Sequence, residues 1–127
     1  MADEITGKLT FNVSLDGAVI ERAESFTFSI VSGNSFTHSI VEVADAGELI
    51  VQSADLANGG FCFMKNLSSE YNITVGDVAG DTNHKIFLRK GIAPRGGIAF
   101  FEIYGNTIYA NTDGGGTAML EYIIVEY

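Results

Sequence analysis

Glycine does almost all of the turning in this chain: fifteen glycines stand against a single proline. They fall in short polar clusters at Asp16-Gly17, Ser32-Gly33-Asn34, Asp45-Ala46-Gly47, Asn58-Gly59-Gly60, Gly76-Asp77, Gly96-Gly97, Gly105-Asn106 and Asp113-Gly114-Gly115-Gly116. Each cluster supplies a residue that tolerates positive φ or bonds its own backbone, so each predicts a turn. The segments between them alternate with period two. Ile5, Leu9, Phe11 and Val13 oppose Thr6, Lys8, Thr10 and Asn12, and Phe26, Phe28 and Ile30 oppose Ser25, Thr27 and Ser29. Phe61 and Phe63 alternate with Cys62 and Met64, and Tyr71, Ile73 and Val75 with Asn72 and Thr74. Such a pattern predicts strands that turn one apolar face to a core. Residues 118–127 are apolar on both faces, which predicts a strand buried on both sides, either centrally in a sheet or against another subunit. Only residues 40–57 compete as a helix. Gly47 interrupts them, and Val41, Val43, Ile50 and Val51 favour strand. The expected fold is all-β: a single antiparallel β-sandwich or jelly-roll-like domain of about nine or ten short strands over residues 1–127.

At 127 residues the chain suits one domain, large enough to bury a core without disulfide support. Hydrophobic residues make up 46% and charged residues 18%, which excludes a disordered chain. The net charge is −9, the wrong sign for a nucleic-acid binder. It is spread unevenly: residues 1–64 carry two bases against nine acids, and residues 65–127 five against seven. Four of those five, Lys85, Arg89, Lys90 and Arg95, fall within one short stretch. An acidic half and a basic loop suit attraction between copies, or a partner of mixed charge. The start, Met1-Ala2-Asp3-Glu4, is acidic and leads into no apolar stretch, and no apolar run is long enough to span a bilayer. Neither a secretory signal nor a membrane partner is expected. Asn-x-Ser/Thr triplets at Asn12, Asn66 and Asn72 are accordingly chance matches.

Side chains that would carry chemistry are sparse. Cys62 is the sole cysteine, set between Phe61 and Phe63, and reads as a small buried hydrophobe. His38 lies in an alternating polar stretch and reads as a surface or subunit-contact residue; His84 lies in a polar run and reads as solvated loop. Two distant histidines and one cysteine do not compose a zinc site. Residues 77–83 offer oxygen ligands but lack the alternating acids and terminal glutamate of a calcium loop. Gly114-Gly115-Gly116 opens no helix and reads as a hairpin turn, not a phosphate loop. The expectation is a protein that is not an enzyme and has no cofactor and no metal.

Several strand segments of the C-terminal half match a known group in order. They are Phe63-Met64-Lys65-Asn66-Leu67, Tyr71-Asn72-Ile73-Thr74-Val75-Gly76, Phe87-Leu88-Arg89-Lys90-Gly91, Ile108-Tyr109-Ala110-Asn111 and Leu120-Glu121-Tyr122-Ile123-Ile124-Val125-Glu126. Together they resemble short accessory virion structural proteins of tailed bacteriophages, the capsid decoration, cement or head proteins. One departure is that Ile92-Ala93-Pro94 follows Gly91, where such proteins often carry an acid. The resemblance implies a virion protein on the capsid exterior, assembled in the host cytoplasm. It would self-associate as a dimer or trimer and bind the major capsid protein. Lys85, Arg89, Lys90, Arg95, Tyr104, Tyr122 and Tyr127 are the expected subunit or capsid contacts, the tyrosines as exposed-edge residues. A role at the neck or tail belongs to the same class. The rival class is a carbohydrate- or receptor-binding β-sandwich, for which five tyrosines are available but no tryptophan.

Overall fold

Asp16 and Gly17 both have positive φ, 50° and 82°. That is the backbone of a two-residue hairpin turn whose twist matches its flanking strands. It joins strand β1 (Glu4–Leu15) to β2 (Ala18–Ser29), with Leu15 opposite Ala18 and Glu4 opposite Ser29. The computed structural model describes residues 4–29, 36–51, 59–77, 79, 86–92, 96–103 and 107–126. Within them the remaining strands are β3 (Phe36–Val43), β4 (Glu48–Val51), β5 (Gly60–Asn66), β6 (Ile73–Gly76), β7 (Ile86–Leu88), β8 (Ile98–Ile103), β9 (Ile108–Thr112) and β10 (Ala118–Glu126). The hairpin β1–β2 and the body holding β3 to β10 are two compact units.

The eight strands of the second unit form two four-stranded antiparallel sheets, in the orders β3-β10-β5-β8 and β4-β9-β6-β7. Every connection except β6 to β7 carries the chain from one sheet to the other. Counted from β3 as the first, the orders are 1-8-3-6 and 2-7-4-5, which is the double Greek key of a jelly roll. Residues 40–51 enter it as two strands, β3 and β4, and Gly47 sits between them at φ 97°, its N–H donating to the Ala44 carbonyl. The core lies between the sheets. Val43, Cys62, Met64 and Leu120 face it from the first sheet, and Ile73, Leu88 and Ala110 from the second; all are fully buried.

Four expectations meet particular outcomes. β10 is the inner strand between β3 and β5 but is not buried on both faces: Leu120 and Ile124 point into the core, while on the outer side Ile123 and Val125 are half-buried and Met119 is exposed. β5 turns Cys62 and Met64 inward, so Phe61 and Phe63 belong to the outer face, where Phe61 lies 4.4 Å from the Phe100 ring. Gly114 to Gly116 do not close a hairpin. They join β9 to β10, which lie in different sheets, so the three residues carry the chain across the end of the sandwich. The apolar face of β1 is not turned to a core: Leu9, Phe11 and Leu15 are 60%, 57% and 68% exposed. That strand pairs only with β2, in a two-stranded sheet.

Candidate contact surface

The expected contact residues fall on three kinds of ground. Lys85, Arg95, Tyr104 and Tyr127 lie outside the described residues. Tyr122 is on the core-facing side of the central strand β10 and packs half-buried against the core cluster, so it is no exposed-edge residue. Arg89 and Lys90 are exposed, immediately after β7.

Those two cations sit on a loop that is tied down from several sides. Asn66, the last residue of β5, is fully buried. Its side-chain N–H groups donate to the carbonyls of Tyr71 at 2.9 Å and Leu88 at 3.0 Å, and its Oδ1 accepts the Ser68 N–H at 2.8 Å. Its backbone N–H donates to the Gly97 carbonyl, and the Gly97 N–H to the Arg89 carbonyl at 2.7 Å. Ser68 continues the web: its carbonyl accepts the Gly91 N–H, and its hydroxyl oxygen accepts from Glu70 and Tyr71. Asn72 closes it. Its Oδ1 accepts the Lys90 N–H at 2.8 Å, while its own N–H groups donate to the Asp113 carboxylate at 3.0 Å and 2.6 Å. The Lys90 ammonium donates to the Glu70 carbonyl at 3.3 Å. The strand ends β5, β7 and β9 and the starts of β6 and β8 are thus laced together by side chains. Glycine is required at the closest crossing, because a Cβ on Gly96 would run into the Asn66 carbonyl.

The neighbouring bend is held in a similar way. The Thr112 hydroxyl reaches the carbonyls of Gly114 and Gly116 at 3.1 Å and 2.8 Å. Gly114 and Gly116 lie against the Tyr71 ring, where a Cβ would have no room. This end of the sandwich therefore presents charge on a backbone fixed by hydrogen bonds. Among the described residues no buried side-chain nitrogen or oxygen lacks a partner, as a structural web requires.

Sequence reading missed Asn66, Ser68, Asn72 and Asp113. A signal was present: Asn66-Leu67-Ser68 has the spacing at which an asparagine oxygen accepts a backbone N–H two residues on, the same spacing that makes a glycosylation triplet. The other titratable groups stand apart from this web. Burial pushes the Cys62 thiol from 9.0 up to about 12, so it stays protonated and unreactive in the core. His38 lies on the outer face of β3, where its Nε2 is 3.0 Å from the Glu121 carboxylate on β10. Among the described residues no three His, Cys, Asp or Glu side chains gather as metal ligands. No protein-family model, no curated protein and no solved structure matches the chain.

Proposed function

We propose that this chain is a non-enzymatic structural protein of a tailed-phage particle, a decoration or cement protein that docks on the capsid exterior and associates with copies of itself. The jelly roll does not assign this alone, since capsid domains, lectins and enzymes share it. The observation that carries the reading is the pinned loop. The segments that resemble phage accessory proteins supply its parts: Asn66 and Leu67, Tyr71 and Asn72, and Leu88 to Gly91. A contact repeated at many symmetric positions gains when its charges are already held in place, because little ordering entropy is lost at each site. The Lys90 ammonium and the backbone of both Arg89 and Lys90 are held in that way, on a protein whose net charge of −9 favours solubility. The partner is accordingly an acidic surface on the major capsid protein.

The test is cosedimentation of the purified protein with empty heads of the phage in whose genome the gene lies. Saturable binding at a fixed copy number per capsomer is expected, with release as salt rises through the range where the Debye length shrinks below about 10 Å. Absence of the protein from purified particles, together with no binding to heads, overturns the reading. Binding that is indifferent to salt overturns the loop as the contact.

A further inference from the structure

The hairpin β1–β2 is an amphipathic ribbon that pairs as a two-stranded sheet of its own. Residues directly opposite in the register share a face, which sorts most of the two strands. One face carries Ile5, Leu9, Phe11, Val13 and Leu15 with Phe28, Phe26 and Ile20 across from them; the other carries Thr6, Lys8, Thr10, Asn12 and Ser14 with Thr27, Ser25 and Glu21, and also Ala23 and the exposed Val19. On the apolar face Leu9, Phe11, Leu15 and Ile20 are each more than half exposed. A two-stranded ribbon is marginal in water unless such a face is covered.

That face carries one charged pair, and it lies at the middle. Arg22 is opposite Phe11 and Glu24 is opposite Leu9, two positions apart on the same face of β2. Both are largely exposed, at 74% and 68%, and their own ion pair is loose at 3.9 Å. Laying a second copy of the hairpin on the first, with the strands reversed by a two-fold axis at the level of Thr10 and Ala23, exchanges the two charges. Arg22 of each copy then faces Glu24 of the other, and Leu9 faces Phe11. The same axis sets Val13 and Ile20 over Gly7 and Phe26, whose ring already lies across Gly7. A face that maps onto its own complement under a two-fold axis is the requirement for an isologous interface.

We infer that β1–β2 is a dimerisation arm, and that its partner is the same hairpin of a second copy, packed face to face and antiparallel about the Arg22–Glu24 pair. Twelve residues per strand give a ribbon roughly 40 Å long and about 10 Å wide, hence on the order of 800 Å² removed from water over both copies. A standard stable interface buries about 1,600 Å². The arm pair falls at the small end of interface sizes, that of weak, exchanging contacts. This inference rests on the self-association part of the proposal above and is independent of what the capsid contributes.

The test is the mass of the full-length protein by sedimentation equilibrium across a concentration series. The wild-type protein is expected to pass from monomer to dimer. Arg22→Glu sets acid against acid and Glu24→Arg sets base against base, so each alone weakens the dimer by about tenfold or more. Mixing the two single variants restores it as a heterodimer, and the double variant R22E/E24R restores it as a homodimer. Phe11→Asp abolishes it. Circular dichroism checks that each variant keeps its strands. A wild-type monomer at every concentration overturns the self-association reading and this inference together. A wild-type oligomer that persists unchanged in Phe11→Asp and Arg22→Glu overturns the arm alone.

Discussion

Replacing Asn66 with alanine removes three hydrogen bonds at once from a fully buried position. The carbonyls of Tyr71 and Leu88 and the N–H of Ser68 lose their partner, and the smaller side chain leaves no polar atom to replace it. A net hydrogen bond contributes about 0.5–1.5 kcal/mol, and a stranded buried group costs about 1–3 kcal/mol. Three bonds, some at groups only partly buried and open to rescue by water, add up to about 3–5 kcal/mol. That is a large share of the roughly 5–15 kcal/mol that holds a domain together. Urea unfolding followed by circular dichroism should show a lowered midpoint at unchanged slope, which marks a stability change without a change in the surface exposed. Hydrogen exchange should locate the damage: the amides of Ser68, Gly91 and Gly97 gain exchange before those of β10. Asn66→Asp keeps the acceptor and loses both donors, so it should be destabilised as well. A loss below about 1 kcal/mol in Asn66→Ala would falsify the claim that this side chain holds the loop.

Cys62→Ala should remove a pH dependence. The unfolded thiol ionises near 9.0 and the folded one near 12. Above pH 9 the unfolded state therefore binds fewer protons, so wild-type stability falls by about 1.4 kcal/mol per pH unit until the folded thiol also ionises. That extra slope is absent in the variant, measured as urea midpoints from pH 8 to 10. Adjacent glycines should differ: Gly116→Ala drives a methyl into the Tyr71 ring and should cost about 1–3 kcal/mol, while Gly115→Ala meets nothing within 4 Å and should be neutral in thermal melts. The pair Arg89→Glu and Lys90→Glu should leave the melting temperature within a few degrees, since both side chains are exposed, yet abolish cosedimentation with heads. Equal binding by that variant counts against the basic loop.

The strands were legible because alternation and glycine are local signals. Asp16-Gly17 specified its own turn, and the two apolar faces of residues 118–127 pointed either to a central strand or to a subunit contact, of which the structure shows β10 as a central strand. What alternation cannot say is which layer covers an apolar face. Leu9 and Phe11 have the same pattern as Ile73 and Val75, yet the second pair is buried between sheets and the first is open. Nor does it say whether a polar bend returns the chain to the same sheet, which is why Gly114 to Gly116 read as a hairpin and instead link two sheets. The loop web was hidden for a related reason. Asn66 bonds Leu88, and Asn72 bonds Lys90 and Asp113, across separations that only the jelly-roll crossings bring together.

The two units place opposite demands on solvent. Among the described residues of the sandwich the buried polar side chains all have partners, and the apolar residues fill the space between two sheets. The hairpin satisfies only its backbone and leaves its best apolar surface in water. Natural β proteins shorten, cover or charge a ribbon of this kind when it has no partner. Here it runs twelve residues on each strand, and its only charged residues on the apolar face are of opposite sign and centrally placed. A ribbon meant to stay solvated would have carried like charges along that face, and would have repelled its own copy.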